Sequence, residues 1–436
     1  MFLTSLVAFL GILFFSAFVF YASRNVLFGL YCLLATSAFG FAFGSQQAVV
    51  GSLHLDPSDV VSIGLLAAGL VRFSRTLGGP GLFRVLGLAF IAIFTFNLVQ
   101  GMFSFGIFST SNEGRSFVGE LLSLLYFATI PTDTVTIKKL TKTYLVYGVV
   151  LVVIAILHYV GMNVGSSNDQ AWSDAEKNRA LPSAAAEALA LCFLLSIGWI
   201  THRQSSRFFR YLPAVFGGMV VILQHRTVWV VLIVCAASLP FIDRRMVRRL
   251  IPIAVLAGCL AFFLALWIYG KNSNASASDQ FEDSSTNLGT WGWRVETWDS
   301  LLFDEDQTLF SVLLGKPVGS PILHYVAEQG VYESLPPHNE YVWLYLRVGI
   351  IGLIPFLIFL IRPVFLLRTE QRRRPNSIFP SPSTWSSVVI AVIVYGVTYG
   401  FDPSSISLVG VATALVLRQE DSCVAVTRFE ELQSPA

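Results

Sequence analysis

Long runs of apolar residues, separated by short polar segments, follow one another along most of the chain. Each run approaches the ~20 residues that a helix needs to cross the hydrocarbon core of a bilayer. Because the third, fifth and thirteenth runs are short, the pattern predicts an all-α polytopic membrane protein with about 12–13 transmembrane helices. The thirteen runs are 2–20, 26–43, 59–73, 82–103, 116–130, 144–160, 184–200, 208–223, 227–242, 250–269, 341–361, 385–400 and 405–417.

The composition agrees with a membrane protein. Hydrophobic residues make up 54% of the 436 residues and charged residues only 13%, against about 25% charged residues in a soluble domain. Lipid must therefore be the main solvent of the chain. The net charge of +2 gives no indication of a nucleic-acid partner. None of the five cysteines lies in a CxxC motif, so the sequence predicts neither a disulfide framework nor a metal site.

Lysine and arginine residues are grouped in alternate loops, which by the positive-inside rule face the cytoplasm. The first run lacks a basic n-region and a small-residue cleavage site, so we expect it to be a span. The N-terminus is then outside, and residues 419–436 form a short cytoplasmic tail. The grouped basic residues are Arg24, Arg72, Arg75, Arg84, Lys138, Lys139, Lys142, Arg203, Arg207, Arg210, Arg244, Arg245, Arg248, Arg249, Arg362, Arg368 and Arg372 to Arg374.

Residues 271–337 form the largest loop, on the outer side of a single integral membrane domain that covers residues 1–436. The loop carries three basic residues against ten acidic ones. Connections of this length are usually functional or disordered. From Trp291 to Phe303, tryptophans and leucines alternate with charged residues, a pattern typical of an amphipathic helix at a membrane surface. We therefore expect short amphipathic helices in this loop.

Three cationic or titratable residues share the outer side in this topology. Arg226 lies in a short turn between two spans, Arg294 lies in the amphipathic segment, and His338 precedes the next span. Arginine offers planar, bidentate donors to phosphate, and a neutral imidazole can accept a proton from a hydroxyl. The grouping indicates a diphosphate ligand. No carboxylate pair, P-loop or metal-ligand spacing competes for this role.

Each of these residues also has a plain structural interpretation. Arg226 could extend to lipid head groups, and Arg294 could pair with Glu296 or Asp299 in a surface helix. His338 could simply begin a helix, since Pro336 and Pro337 favour a helix start just after them, with Asn339 as the cap. Gly349 and Gly352, with Val342 and Tyr345, are typical of a stripe where helices pack closely.

The run from Pro337 to Gly352 resembles the signature of the bacterial O-antigen ligase and O-antigen polymerase superfamily. In that signature a histidine and an asparagine open a helix that continues with spaced leucines and two glycines. His225-Arg226-Thr227 is similar to the first periplasmic arginine motif of the family. Gly292-Trp293-Arg294 with Trp298, followed by the run from Leu314 to Gly319, is similar to the second. The resemblance covers residues 181–361.

Two positions differ from the family pattern. Arg347 stands where the family often has an acidic residue, so a carboxylate role at that position is not carried over. Asn178 to Pro182 is only loosely similar to the arginine and proline segment that often precedes the seventh span. Arg179 is therefore either a further diphosphate ligand or an ordinary charge in a surface loop.

The resemblance implies a GT-C-type glycosyltransferase in the bacterial inner (plasma) membrane. Such an enzyme moves a glycan from undecaprenyl diphosphate to an acceptor hydroxyl at the periplasmic face, and it needs no metal or other cofactor. Arg226 and Arg294 would bind the diphosphate, and His338 would act as the general base. Further substrate contacts are then expected from Arg179, Asn339, Trp298 and Tyr341.

The acceptor distinguishes the members of this superfamily. A ligase, the narrowly preferred expectation, transfers the glycan to lipid A-core in lipopolysaccharide biosynthesis, and a polymerase transfers it to another lipid-linked repeat. A transporter or flippase of lipid-linked sugars is the alternative from another class. A transporter would have charges inside its spans and repeated halves. The spans here contain little charge beyond Glu120, Glu187 and Arg347, and the sequence has no evident inverted repeat.

Overall fold

The helices of the computed structural model follow the predicted spans closely. Structure is described for residues 2–44, 48–50, 53–76, 82–165, 180–200, 208–242, 289–303, 307–326, 331–334, 337–373 and 378–417. The helices are α1 (Phe2–Arg24), α2 (Val26–Phe43), α3 (Pro57–Thr76), α4 (Leu82–Phe105), α5 (Ile107–Ala128), α6 (Thr134–Tyr159), α7 (Ser183–Ile200), α8 (Leu212–Ile222), α9 (Arg226–Ile242), α10 (Gly289–Leu302), α11 (Leu309–Leu314), α12 (Glu340–Arg373), α13 (Pro382–Tyr395) and α14 (Pro403–Leu417).

Twelve of the thirteen predicted spans coincide with a described helix. The tenth, 250–269, lies outside the described residues, as do the predicted tail at 419–436 and Arg179. Within the described ranges, five helices are long and apolar enough to cross a membrane: Val26–Phe43, Val85–Phe105, Thr134–Tyr159, Ser183–Ile200 and Glu340–Arg373. The all-α polytopic class is therefore confirmed.

Two small antiparallel hairpins were not predicted from the sequence. Strand β1 (Ala48–Val50) pairs with β2 (Leu53–Leu55), and β3 (Leu323–Val326) pairs with β4 (Val331–Ser334). The second hairpin lies in the predicted large loop, together with α10 and α11. The predicted amphipathic helix from Trp291 to Phe303 is confirmed as α10, although the side chains of Trp291 and Trp293 fall outside the described part.

The core of the bundle lies where α5, α6, α7, α13 and α14 pack together. Fully buried side chains there include Phe127, Leu195 and Trp385. Other apolar side chains face outward, such as Phe14 and Phe103, which are 77% and 87% exposed. A water-soluble protein rarely leaves so many large apolar side chains exposed. These outward faces are suited to contact with lipid.

The two ends of the bundle differ in charge. Helix α7 runs from Ser183, near the predicted site, to Trp199, whose ring packs against Phe379 with centroids 5.0 Å apart. At this second end the ammonium of Lys138 lies 5.3 Å from the centre of the Phe379 ring. The last turn of α12 also ends in basic residues, Arg372 and Arg373. Basic side chains therefore gather at the end opposite to His338.

Helix α12 is interrupted where the large loop enters the bundle. Gly349 has φ of 59°, so the helix breaks there, and a Cβ at this position would lie 2.3 Å from the Leu313 backbone. Gly315 makes a similar approach to the backbone of Arg347 and Val348. The predicted close packing at Gly349 is thus confirmed, and its partner is the end of α11, at Leu313 and Leu314, from which the loop segment Gly315 to Ser320 continues.

A buried ion pair holds this loop segment in place. The Arg347 side chain, 1% exposed, pairs with the Glu113 carboxylate of α5, with Nε 2.6 Å from Oε1. Its Nη1 donates to the Pro317 carbonyl oxygen at 3.0 Å, and its Nη2 donates to the Ser320 carbonyl oxygen at 2.6 Å. Arg347 therefore ties three segments together, the loop, α5 and α12.

Candidate functional site

His338 lies in a sharp turn immediately before α12. Its φ of 47° is in the left-handed region, which few residues other than glycine, asparagine, aspartate and histidine adopt. Asn339 caps the helix, because its side-chain oxygen accepts hydrogen bonds from the backbone N–H groups of Tyr341 and Val342 at 2.9 and 3.1 Å. The predicted cap is confirmed. The turn places His338 at one end of the bundle.

Helix α10 is attached to this turn through Trp298. The indole N–H of Trp298 donates to the carbonyl oxygen of Pro337 at 2.7 Å. Arg294 lies four residues earlier, on the same face of α10. Its guanidinium carbon lies 4.9 Å from the centre of the Tyr399 ring, a cation–π arrangement. The face of α10 that carries Arg294 and Trp298 is therefore the face docked on the bundle.

The surroundings of His338 favour its neutral form. Burial lowers the pKa of the His338 imidazole, and the positive charge of Arg294 lowers it further. Both effects oppose the charged imidazolium. A neutral imidazole has one ring nitrogen that can accept a proton. The structure thus brings Arg294 close to a histidine whose neutral form is favoured.

Arg226 is the first residue of α9, after a tight turn. Gln224, in this turn, has φ of 55°. His225 is buried, and its Nε2 lies 2.9 Å from the carbonyl oxygen of Leu181. Since a carbonyl can only accept, Nε2–H must be the donor. His225 therefore fixes the turn that presents Arg226 at the start of α9.

The segment before α7 connects the Arg226 turn with the Arg294 site. The Leu181 carbonyl oxygen accepts the hydrogen bond from His225. Two residues later, the Ser183 hydroxyl accepts a hydrogen bond from the Tyr395 hydroxyl at 3.0 Å. The Tyr395 ring stacks on the Tyr399 ring, with centroids 5.3 Å apart, and Tyr399 lies under Arg294. Arg226, Arg294 and His338 are therefore all positioned at one end of the bundle.

Tyr341 and Glu340 attach the start of α12 to the end of α13. The Tyr341 hydroxyl donates to the Ile393 carbonyl oxygen at 2.7 Å, and the backbone N–H of Glu340 donates to the Gly396 carbonyl oxygen at 2.9 Å. The Tyr341 ring also packs edge-on against Phe401. In this structure Tyr341 thus anchors the helix, and the substrate contact expected of it remains a prediction.

Several features of the site were not identified from the sequence. Gln224 and His338 are the two non-glycine residues with positive φ in the part of the chain that the structure describes, and each precedes a helix of the site. Strained backbone of this kind is often found at functional sites. Neither conformation has a local sequence signal. Tyr395 and Tyr399 were missed because they lie far from the motifs.

The described residues contain no group of three or more His, Cys, Asp or Glu side chains placed to hold a metal ion. The polar side chains gathered at this end include arginine, histidine, tryptophan and tyrosine, together with the buried carboxylate of Glu340. Arginine and tryptophan are hydrogen-bond donors only, and the guanidinium groups carry positive charge. The arrangement is therefore chemically suited to an anion with several oxygen atoms.

The fold and this site define a polytopic, all-α membrane protein with a cationic, histidine-containing site at one end of its bundle. Residues 211–357, about a third of the chain, match the family model described as O-antigen ligase. The match confirms the resemblance to the O-antigen ligase and O-antigen polymerase superfamily, and it includes Arg226, Arg294 and His338. It supports a glycosyltransferase-like enzyme. Comparison with curated proteins and with solved structures gives no match.

Proposed function

We propose that the protein is a periplasmic-face glycosyltransferase that moves a glycan from undecaprenyl diphosphate to an acceptor hydroxyl, with ligation to lipid A-core as the favoured reaction. The observation that carries the proposal is that Arg294 lies near His338 and favours its neutral form. The hydrogen bond from Trp298 to Pro337 holds the two segments together. The family match over residues 211–357 supports the reaction class. The gathering of basic residues at the opposite end supports a site on the outer side of the membrane.

The reaction is a displacement at the anomeric carbon. His338 takes the proton of the acceptor hydroxyl, and the acceptor oxygen attacks the anomeric carbon. The bond between that carbon and the diphosphate oxygen breaks, and undecaprenyl diphosphate leaves with the electron pair. Arg294 and Arg226 stabilise the negative charge that grows on the leaving group. Because the diphosphate is a good leaving group, binding it and preparing the hydroxyl supply most of the catalysis.

The start of α9 adds to the attraction for a phosphate. The first N–H groups of a helix have no partner within the helix and lie at the positive end of its dipole. Arg226 stands at this position on the 17-residue helix α9. A diphosphate oxygen placed there would meet both a guanidinium and backbone N–H groups. Arg179 is proposed as a further ligand, from the sequence resemblance alone.

Transport of lipid-linked sugars is the less favoured function. A transport path needs charged groups that can exchange partners within the membrane. Arg347, the charged residue within the apolar part of α12, is instead bound to Glu113 and to the carbonyl oxygens of Pro317 and Ser320. Its bonds are used to hold the loop. The charged groups proposed to bind substrate, Arg226 and Arg294, lie at the outer end of the bundle.

Reconstitution tests the proposal. The purified full-length protein is mixed in detergent or nanodiscs with a defined undecaprenyl-diphosphate oligosaccharide and either lipid A-core or a second copy of the lipid-linked oligosaccharide. Glycosylated lipid A-core supports ligation, whereas elongated lipid-linked oligosaccharide supports polymerisation. We expect full activity in the presence of a strong chelator. Failure to form either product, with donor bound, would contradict the proposed reaction.

A further inference from the structure

Tyr399 lies outside the family match and outside every motif of the sequence, yet its ring contacts the central arginine of the site. The Arg294 guanidinium carbon is 4.9 Å from the centre of this ring. Tyr399 is in the turn that follows α13, and its backbone N–H donates to the Tyr395 carbonyl oxygen at 3.2 Å. The ring is therefore held on a fixed part of the bundle rather than on the large loop.

A stack of aromatic rings supports Tyr399 from below. The Tyr395 ring lies nearly parallel to it, with an interplanar angle of 19° and centroids 5.3 Å apart. Tyr395 is 1% exposed, and its hydroxyl donates to Ser183 at the start of α7. Movement of the Tyr399 ring toward the bundle would thus require displacement of a buried tyrosine. The platform under Arg294 is supported from this side.

The geometry of arginine explains what such a platform achieves. The face of a guanidinium packs on an aromatic ring, while its N–H groups point outward in the guanidinium plane. A guanidinium held over the Tyr399 ring keeps N–H groups free at its edge, where they can bind two phosphate oxygens together. Helix α10 is held separately by Trp298, four residues further along the same face. These two contacts fix both the helix and the arginine side chain.

We propose that Tyr399 is a positioning residue that holds the Arg294 guanidinium edge-on to the diphosphate of the donor and close to His338. The inference rests on the proposed function, since it assigns Tyr399 a role through Arg294. Tyr399 itself makes no covalent change. The aromatic face, and not the hydroxyl, is the part of the side chain that the role requires.

The test compares Tyr399→Phe, Tyr399→Leu, Arg294→Ala and the double variant Tyr399→Leu/Arg294→Ala. Binding of a fluorescent undecaprenyl-diphosphate oligosaccharide is measured on the purified full-length protein. We expect Y399L to weaken binding by about 3- to 30-fold, the range that loss of one cation–π contact allows. Y399F keeps the ring face and should bind as the wild type does. In the R294A background, Y399L should have no further effect.

A second readout separates positioning from general loss of structure. Arg294 lowers the pKa of His338, so displacement of its charge should raise that pKa. The acid limb of kcat/KM should therefore move to higher pH in Y399L and in R294A, and stay in place in Y399F. Tyr211→Leu is the control, because Tyr211 is 65% exposed at the start of α8 and should leave binding and pH profile unchanged.

The outcomes distinguish the two proposals. If R294A loses donor binding while Y399L binds normally and keeps the wild-type pH profile, the role of Tyr399 is overturned and the proposed function stands. If the effects of Y399L and R294A simply add, Tyr399 does not act through Arg294. If R294A itself binds donor and transfers glycan normally, the roles of both Arg294 and Tyr399 are overturned. If the wild-type protein binds donor but transfers no glycan, the proposed function is overturned.

Discussion

The indole N–H of Trp298 donates a hydrogen bond to the carbonyl oxygen of Pro337, at 2.7 Å, and so fastens helix α10 to the residue before His338. This bond joins two segments that are 39 residues apart in the chain. Because Arg294 is on the same face of α10, the bond also fixes the separation between the arginine and the histidine. The position of both groups relative to a substrate depends on it.

Loss of the Trp298 bond should lower activity more than stability. Trp298→Phe keeps an aromatic ring and removes the donor, so we expect about 1 kcal/mol less free energy of unfolding. The rate of glycan transfer should fall by about tenfold or more, since small displacements of catalytic groups have large effects on rate. Thermal unfolding and transfer assays on the purified protein measure the two effects.

Trp385→Phe is a matched control for this variant. The Trp385 indole N–H donates to the carbonyl oxygen of Phe379 at 3.0 Å, at the opposite end of the bundle. The same kind of bond is lost there, far from His338. Transfer by the folded protein should be unchanged in W385F. Equal losses of activity in the two variants would show that the effect of W298F is not specific to the site.

The Arg347–Glu113 pair should contribute strongly to stability. Arg347 is 1% exposed, and its removal takes away the charge partner of Glu113 and the side-chain donor to the carbonyl oxygens of Pro317 and Ser320. Glu113 keeps only neutral donors, the Trp343 indole N–H and the Gly319 N–H. Breaking a buried pair of this kind typically costs about 3–5 kcal/mol. Thermal unfolding of Arg347→Ala in detergent should show a correspondingly large decrease in Tm.

A second ion pair involving α5 provides the control. Arg115 lies 2.8 Å from Asp56 and 3.1 Å from Asp59, and its side chain is 25% exposed. Unlike Arg347, no member of this pair is fully buried, so its contribution should be closer to the ~0–1 kcal/mol of solvent-exposed pairs. Arg115→Ala should therefore lower Tm only slightly. If Tm decreases no more in R347A than in R115A, Arg347 does not hold the loop, α5 and α12 together as assigned.

Local parts of this architecture could be predicted from sequence, because they depend on neighbours in the chain. The spans follow from runs of apolar residues, α10 from its alternation of tryptophans and charges, and the Asn339 cap from the prolines before it. The elements that fall within the described residues were confirmed. The resemblance at His338 predicted a candidate site for the same reason, since a contiguous motif carries it.

Contacts between distant segments could not be predicted in this way. Glu113 and Arg347 are separated by 234 residues, and nothing near Arg347 in the chain indicates that its partner is on α5. The entry of Gly315 into the bundle depends on the break at Gly349, which is visible only once both backbones are placed. The positive φ of Gln224 and the platform at Tyr399 likewise arise from tertiary packing.

The pH dependence of transfer should reflect the lowered pKa of His338. Burial and then the charge of Arg294 lower this pKa, so the neutral base persists below the ordinary histidine value of about 6.5. The acid limb of kcat/KM, which reports the free enzyme, should therefore lie below that value. Arg294→Gln removes one of the two causes of the lowered pKa. The acid limb should therefore move to higher pH, part of the way toward the ordinary histidine value.

The pH profile of Arg115→Gln serves as the comparison. Arg115 is paired with Asp56 and Asp59 on the far side of α5, so loss of its charge should leave the acid limb in place. An acid limb well above the ordinary histidine value in the wild type would contradict a neutral His338. An acid limb that stays in place in R294Q would also contradict the effect of Arg294 on the pKa of His338.

The most direct measurement of the central claim is transfer by His338→Asn with donor binding measured alongside. Asparagine adopts the left-handed backbone conformation that His338 has, at φ of 47°, so the turn should be preserved. Its amide cannot accept a proton as a base. We expect transfer to fall by about 10²–10⁴-fold while affinity for the undecaprenyl-diphosphate oligosaccharide stays within about threefold. Transfer near the wild-type rate by H338N would contradict the assignment of His338 as the general base.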